Sequence, residues 1–316
     1  MRHLSNFLLG TILAVSSFAS PVFGSDYPDR PLMLFTMTQP GAQIDRLTRG
    51  MAERMGKLLG QPVTVRNITG GSHGSVMATE LSKAKPDGYT LAIAATTAYT
   101  YQPHHAPVKY SFDDFDYITL VALNSSGFIS SPDKPWDTLK GAFDWAKANN
   151  KALVVMFHGA DDRDVIQRIA KQEGVNISLI PSKGGPSVIK AVTGGHADIG
   201  YVGAILYEHV RAGRLKLVAS ALNQRLPPIP DVPTLKEMGY DESVEMYVGL
   251  IAPKGIPADR LAKLEAVMEQ LAADPETQQF ITEQLLMRPV EWGSAHAKVA
   301  MKEMYDLFGK QAQSMK

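Results

Sequence analysis

Five segments of the chain place small residues where a strand leads into a helix, or directly after a strand. They are residues 38–42, 70–74, 96–98, 158–162 and 182–187. Small side chains leave the backbone N–H groups at a helix N-terminus accessible, and such termini bind anions, including carboxylates, without Lys or Arg. The segments therefore predict binding of a small anion. Each one alone also fits a structural role, because Gly and Pro favour the geometry of tight turns.

The fourth segment differs from the others because it carries several charges. It continues as HGADDRD at 158–164. Three interpretations stay open. Arg163 meets a distal anion of the ligand while an Asp caps the helix that follows; Asp161 or Asp162 accepts a hydrogen bond from an amine or amide of the ligand; or the segment is only a helix cap with a solvated acidic face.

Other kinds of chemistry find little support in the residues. The chain has no Cys and no HExxH pattern, which leaves no thiol nucleophile and no zinc-peptidase motif. The GGSHG stretch at 70–74 lacks the Gly-Lys-Ser/Thr ending of a phosphate loop, and its adjacent Ser and His do not set a base against a nucleophile. His73 and His158 each lack a second His at ligand spacing, so the sequence predicts no catalytic residue, metal or cofactor.

The elements that must position these segments alternate between strand and helix patterns. Apolar residues recur every three or four positions from Gln43 onward, which indicates a helix after the first strand. Further strand and helix patterns follow in two runs, and the Pro-dense stretch at 222–234, which comes after the second run, is a linker or a long surface loop. This rhythm is typical of two α/β domains, each a mainly parallel sheet flanked by helices.

Composition limits the partners and the location. The 32 basic and 32 acidic residues give a net charge of zero, so no nucleic-acid partner is expected. Residues 1–24 have a basic start, a short apolar core and small residues before Ser25, as in a secretory signal peptide. The alternative is a retained membrane anchor. We expect an exported protein held by its core alone, since the chain has no Cys for disulfides.

Several segments resemble the periplasmic solute-binding proteins of tripartite tricarboxylate transporters, the Bug or TctC-like family. The family's first-strand motif, Pro-Gly-Gly-x-x-Asp, stands here as PGAQID at 40–45, with Ala42 in place of the second Gly. Further matches are QPVTVRN (61–67), PDGYTL (86–91), PSKGGPSVIKAVTGGHADI (181–199), AGRLKLVA (212–219), RLPPIPDVPTLKEMG (225–239) and GLIAPKGIP (249–257). They span nearly the whole mature chain, in order.

The resemblance implies a two-domain Venus-flytrap fold with the ligand in the interdomain cleft. Domain 1 would comprise residues 25–123 and 247–316, and domain 2 residues 124–246. The first two loops of domain 1 would hold one carboxylate through backbone groups and ordered water. The predicted ligand contacts are Thr38, Gln39, Gly41, Ala42, Gln43, Gly71, Ser72, His73, Thr96 and Thr97 in domain 1, and His158, Gly159, Ala160, Asp161, Asp162, Arg163, Lys183, Gly184, Tyr201 and Gly203 in domain 2.

The resemblance also implies a function without catalysis. The protein would be a monomer that captures a small di- or tricarboxylate or an aromatic acid and delivers it to the membrane subunits of a transporter. One alternative is a ligand-sensing partner of a histidine-kinase ectodomain, and a less favoured one is a periplasmic hydrolase. His73, if it lines the cleft, would tune carboxylate affinity through its charge near pH 6.5.

Overall fold

A computed structural model describes residues 27–314, so the predicted signal peptide at 1–24 lies outside the described residues. The strands are β1 Leu32–Thr36, β2 Val63–Asn67, β3 Thr90–Ala95, β4 Phe115–Leu123, β5 Ser126–Ser130, β6 Leu153–Phe157, β7 Ile177–Pro181, β8 Ile199–Gly203, β9 Lys216–Ser220, β10 Tyr247–Pro253 and β11 Arg288–Pro289.

The α-helices are α1 Gln43–Leu59, α2 Ser75–Ser82, α3 Thr97–Thr100, α4 Gln102–His105, α5 Leu139–Ala148, α6 Ala160–Glu173, α7 Gly185–Thr193, α8 Leu206–Arg211, α9 Ala258–Ala273, α10 Pro275–Gln279 and α11 Ser294–Ser314. Short 3₁₀ helices span Ser72–Gly74, Phe112–Asp114 and Lys236–Met238, and a π-helical turn spans Phe280–Gln284.

Helix α1 shows how the sequence pattern produces the fold. Its residues Ile44, Leu47, Met51 and Met55 are all buried, as the spacing of three and four predicts. The helix ends at Gly60, which adopts the left-handed conformation and donates its N–H to the carbonyl of Gly56. The predicted helix from Gln43 is therefore confirmed.

The strands form two sheets. The first has six strands in the order β11-β4-β10-β3-β1-β2, and the second has five in the order β7-β6-β8-β5-β9. Helices α1 and α9 cover one face of the first sheet, and α2, α3 and α11 cover the other. Helices α5 and α6 cover one face of the second sheet, and α7 and α8 the other. We call each sheet with its helices the six-stranded lobe and the five-stranded lobe.

Both sheets are mixed: most strands of each run in one direction, as the predicted α/β fold implies, and a minority run against them. In the six-stranded sheet, β10 pairs antiparallel with β3 and β4, while β1 pairs parallel with β2 and β3. In the five-stranded sheet, β5 pairs antiparallel with β8 and β9. The antiparallel strands β5 and β10 each follow a passage of the chain between the lobes. Strand β4 is buried along its whole length, so it lacks the polar–apolar alternation that marks a half-buried strand.

The chain crosses between the lobes twice. It leaves the first sheet after Leu123 and enters the second at Ser126, and it returns from Ser220 to Tyr247. The predicted domain limits at 123/124 and 246/247 fall within these passages, and the domain assignment stays a prediction. Within residues 27–314, no helix combines the length and the apolar character needed to cross a bilayer.

Candidate functional site

The loop after β1 is held by the side chain of a buried aspartate. Asp45 is 1% exposed and accepts from the Gly41 N–H (2.8 Å), from Asn67 Nδ2 (2.7 Å) and from Arg49. Burial opposes ionisation of Asp45, but the hydrogen bonds from Arg49, Asn67 and Gly41 outweigh it and lower its pKa. The sequence predicted accessible N–H groups in this turn, but the N–H of Gly41 is already bound. The residue that binds it is Asp45, the Asp of the PGAQID segment.

The amides further along this turn have no capping side chain. Ala42 is the N-cap residue of α1 and makes no side-chain cap hydrogen bond, while its own N–H donates to the Gln39 carbonyl. The Thr38 hydroxyl beside this terminus is buried and has no hydrogen-bond partner among the described residues. An uncapped helix N-terminus next to an unsatisfied hydroxyl is an arrangement that favours an anion.

Two residues predicted to contact a ligand from this loop point elsewhere. Gln43 donates from Nε2 to the Leu285 carbonyl at 2.6 Å, towards the C-terminal part of the six-stranded lobe. Gln39 is exposed and reaches only Thr69, at 3.4 Å. Their side chains thus have partners within their own lobe.

In the second loop, residues 70–74, a histidine packs against the third loop, residues 96–98. His73 adopts a left-handed backbone conformation (φ 50°) within a turn of positive-φ glycines. Its Nδ1 lies 3.3 Å from the Thr97 hydroxyl, and its ring centre lies 5.0 Å from that of Tyr101. Burial lowers the pKa of His73, so the neutral imidazole is favoured. Thr96 instead lies beside Met304 of α11.

The second loop also carries Ser72 in a G-x-S-x-G spacing, which the sequence reasoning overlooked. Ser72 is exposed, and its hydroxyl makes no hydrogen bond to any described residue. The neighbouring His73 turns its Nδ1 to Thr97 instead. Ser72 and His73 therefore do not form a nucleophile–base pair in this arrangement.

In the fourth loop, Asp162 caps the helix on which it lies. Its carboxylate accepts the N–H of Gly159 (2.5 Å) and the N–H of His158 (2.9 Å), and the residue is 1% exposed. These two amides are thus occupied by the protein's own carboxylate. Burial, followed by the charge of Asp161, raises the pKa of Asp162 to about 8 against the two amide hydrogen bonds.

Arg163 is engaged by its neighbour rather than free. Its Nη2 lies 2.7 Å and its Nε 2.8 Å from Oδ1 of Asp164, which is 4% exposed. The other oxygen of Asp164 accepts from the Tyr101 hydroxyl at 2.9 Å. The geometry is that of a neutralised pair, so Arg163 is a poor candidate for a distal anion.

Asp161 differs from Asp162 and Asp164, whose carboxylates are both hydrogen-bonded. Among the described residues it has neither a hydrogen bond nor an ion pair, and it is partly exposed. A Cβ built on Gly159 would lie 2.5 Å from Asp161 Oδ1 and 3.5 Å from Cε1 of His73, so these two side chains from opposite lobes approach the same point. A larger residue at 159 would require the Asp161 side chain to move, while its Cβ would make an ordinary contact with His73.

The rest of the five-stranded lobe contributes Tyr201 and a glycine-flanked loop. Tyr201 is 7% exposed and packs on Phe128, and burial, followed by the charges of Asp161 and Asp162, raises its pKa. Gly203 adjoins the side chain of Asn124 at the crossing between lobes. Lys183 is exposed, and Gly184 and Ser182 bond mainly within their own turn.

The arrangement therefore joins a subset of the predicted residues. His73, beside Thr97 on the six-stranded lobe, approaches Gly159 and Asp161 on the five-stranded lobe. Thr38 and Ala42 lie at the start of α1 on the six-stranded lobe, and the complete set of ligand contacts stays a prediction. Gln39, Gln43, Thr96, Arg163 and Lys183 are directed to other partners or to the surface. Sequence reasoning left out Asp45, Asn67, Tyr101 and Asp164, of which only Asp45 had a signal, its place four residues after Gly41 and next to the helix start.

No group of three or more potential metal ligands occurs within the part of the chain that the structure describes.

Comparison with known proteins gives consistent results. Residues 47–303 match the model of the tripartite tricarboxylate transporter family receptor. Protein BugT of Bordetella pertussis is 30% identical over 259 residues, 78% of each chain. A TctC solute-binding protein from Polaromonas superposes with a TM-score of 0.76 at 26% identity, covering 91% of this chain and 99% of that one. MatC from Rhodopseudomonas palustris, solved with bound malate, has a TM-score of 0.74 at 22% identity, covering 90% and 100%, and shows the fold alone.

Proposed function

We propose that this chain, which belongs to the tripartite tricarboxylate transporter receptor family, captures a small carboxylate between its two lobes. The two-sheet architecture agrees with the periplasmic binding-protein fold of the Polaromonas structure. The observation that carries the proposal is the uncapped N-terminus of α1 beside the unsatisfied Thr38 hydroxyl.

The six-stranded lobe supplies the groups that favour a negative charge. The first-turn amides of α1 and the Thr38 hydroxyl are hydrogen-bond donors without a side-chain acceptor. His73, held neutral by burial, can donate one ring N–H and becomes cationic if a bound carboxylate raises its pKa. We assign the first carboxylate of the ligand to the first-turn amides of α1, the Thr38 hydroxyl and His73.

The five-stranded lobe supplies selectivity. Its Asp161 carboxylate is unpaired, and the cationic Arg163 next to it is neutralised by Asp164. A ligand whose second end carries a hydroxyl, amide or ammonium donor suits this surface better than a second bare carboxylate, because like charges repel. The Tyr201 hydroxyl lies near the same two aspartates and adds a further donor or acceptor.

Closure of the lobes provides the mechanism. The ligand stabilises the closed arrangement through contacts with both lobes, and a ligand bound to one lobe only cannot do so. In this proposal the protein works in the periplasm as a monomer and delivers its ligand to the membrane subunits of a transporter. A kinase ectodomain could recognise the same closed form, but no observation favours that role. The arrangement of Ser72 and His73 gives no support to a hydrolase.

A ligand panel tests the proposal. The purified protein is heated with malate, succinate, adipate, citrate, benzoate, nicotinate or aspartate, each beside a neutral sugar as the control. We expect at least one acid to raise the melting temperature, since a ligand at 100 times its Kd adds about 2.7 kcal/mol of stability. Stabilisation by sugars and by none of the acids would refute the proposed ligand class. Native mass spectrometry of the freshly purified protein would identify any co-purified ligand.

A further inference from the structure

A hydrogen bond between two buried side chains joins the lobes directly. The Tyr101 hydroxyl donates to Oδ2 of Asp164 at 2.9 Å. Tyr101 follows β3 and belongs to the six-stranded lobe, whereas Asp164 lies in α6 of the five-stranded lobe. Tyr101 is 2% exposed and Asp164 is 4% exposed, so the bond is shielded from water.

Each partner is fixed by its own lobe. The Tyr101 ring stacks on His105 with ring centres 3.7 Å apart and an angle of 7°, and meets Phe308 of α11 edge-on at 5.2 Å. His105 Nδ1 lies 3.0 Å from the Tyr101 carbonyl oxygen, which joins ring and backbone. Asp164 is held by Arg163 through its other oxygen. The bond therefore joins two pre-positioned groups, which lowers the entropic cost of forming it.

The bond also lies next to the ligand site without being part of it. Tyr101 contacts His73, whose ring faces Thr97 and approaches Gly159 across the cleft. Its hydroxyl is already committed to Asp164, and Asp164 has both oxygens occupied. The single hydroxyl proton of Tyr101 is therefore not available to a ligand.

We propose that Tyr101 is a positioning residue that closes the two lobes through Asp164 and sets how long a ligand is retained. Separation of the lobes must break this bond, so it stabilises the closed arrangement whether or not the cleft is filled. The part of the inference that concerns ligand retention rests on the proposed function. The part that concerns the lobes does not.

The test compares two tyrosine-to-phenylalanine variants. Tyr101→Phe removes only the hydroxyl and keeps the ring that packs on His105 and Phe308. Tyr240→Phe is the matched control, because the Tyr240 hydroxyl also donates to a carboxylate, that of the partly buried Glu173 at 2.7 Å, but within the five-stranded lobe. Both variants lose one tyrosine–carboxylate hydrogen bond, and only one of these bonds spans the lobes.

The separation of the lobes is measured by spin-label distances in the ligand-free protein. The chain has no Cys, so Lys57→Cys on α1 and Glu208→Cys on α8 give specific labelling at two exposed positions on different lobes. Release of a ligand is measured by stopped flow with malate, or with the panel acid that stabilises most. Thermal melting verifies that each variant is folded.

We expect Tyr101→Phe to broaden the distance distribution towards longer values and to raise the release rate about tenfold, with little change in the association rate. Tyr240→Phe should leave both unchanged. Identical distance distributions for Tyr101→Phe and the unmodified protein would overturn the proposal. Because that measurement needs no ligand, it separates failure of this inference from failure of the proposed function, which would show as no binding by any acid.

Discussion

A negative charge introduced at position 41 tests most directly whether the N-terminus of α1 binds an anion. Gly41 is exposed with φ +85°, and a Cβ built there meets no atom within 4 Å, so a larger side chain has room. Asp and Asn have nearly the same shape, and both tolerate this left-handed conformation. Gly41→Asn therefore controls for backbone strain and bulk, and Gly41→Asp adds only the negative charge.

The size of the effect follows from Coulomb's law. A carboxylate at position 41 would lie about 5 Å from an anion on the first-turn amides of α1, and with an effective dielectric constant of 20–80 the repulsion is about 1–3 kcal/mol. That corresponds to a loss of affinity of about 5- to 150-fold relative to Gly41→Asn. The Gly41 N–H bond to Asp45 is retained in both variants, because it is a backbone bond.

Isothermal titration calorimetry with the tightest acid of the panel measures this difference. The loss should shrink in high salt, because the added charge is exposed and screened. Equal affinities for Gly41→Asp and Gly41→Asn at low salt would refute the assignment of the carboxylate to the α1 terminus. Equal loss in both variants, relative to the unmodified protein, would show that only the shape of the turn matters.

Three further predictions concern the titratable groups of the site. Because burial lowers the pKa of His73, the stability present above pH 6.5 should be lost as the pH falls below that value. His73→Gln should flatten this part of a profile of melting temperature against pH. An unchanged profile would count against a buried, neutral imidazole. Asp161→Asn should lower the pKa of Asp162 in a carboxyl NMR titration, and an unmoved pKa would mean that the two carboxylates do not interact. Arg163→Ala should reduce stability by about 1–3 kcal/mol, less than a fully buried pair because Arg163 is 40% exposed, and should leave ligand preference unchanged; a new preference would restore Arg163 as a ligand contact.

The sequence predicted the elements that follow from local pattern. The spacing of Ile44, Leu47 and Met51 predicted α1, because a half-buried helix shows its own period. It did not predict β4 or the antiparallel pairing of β10, because strands buried on both faces have no such period and strand direction depends on the path of the chain.

For the site, composition identified the loops but not the state of their amides. Small residues at 38–42 and 158–162 indicated open backbone donors. The structure shows that Asp45 and Asp162 each occupy amides of their own loop, which a count of small residues does not reveal. The contact between Tyr101 and Asp164 joins residues 63 positions apart, so no local pattern could have indicated it.

A crystal structure with the tightest-binding acid of the panel tests the central claim most directly. We predict one carboxylate within hydrogen-bond distance of the first-turn amides of α1, beside Thr38 and His73, with the other end of the molecule facing Asp161. A carboxylate held instead by exposed Lys183, or a ligand that touches only one lobe, would contradict the account.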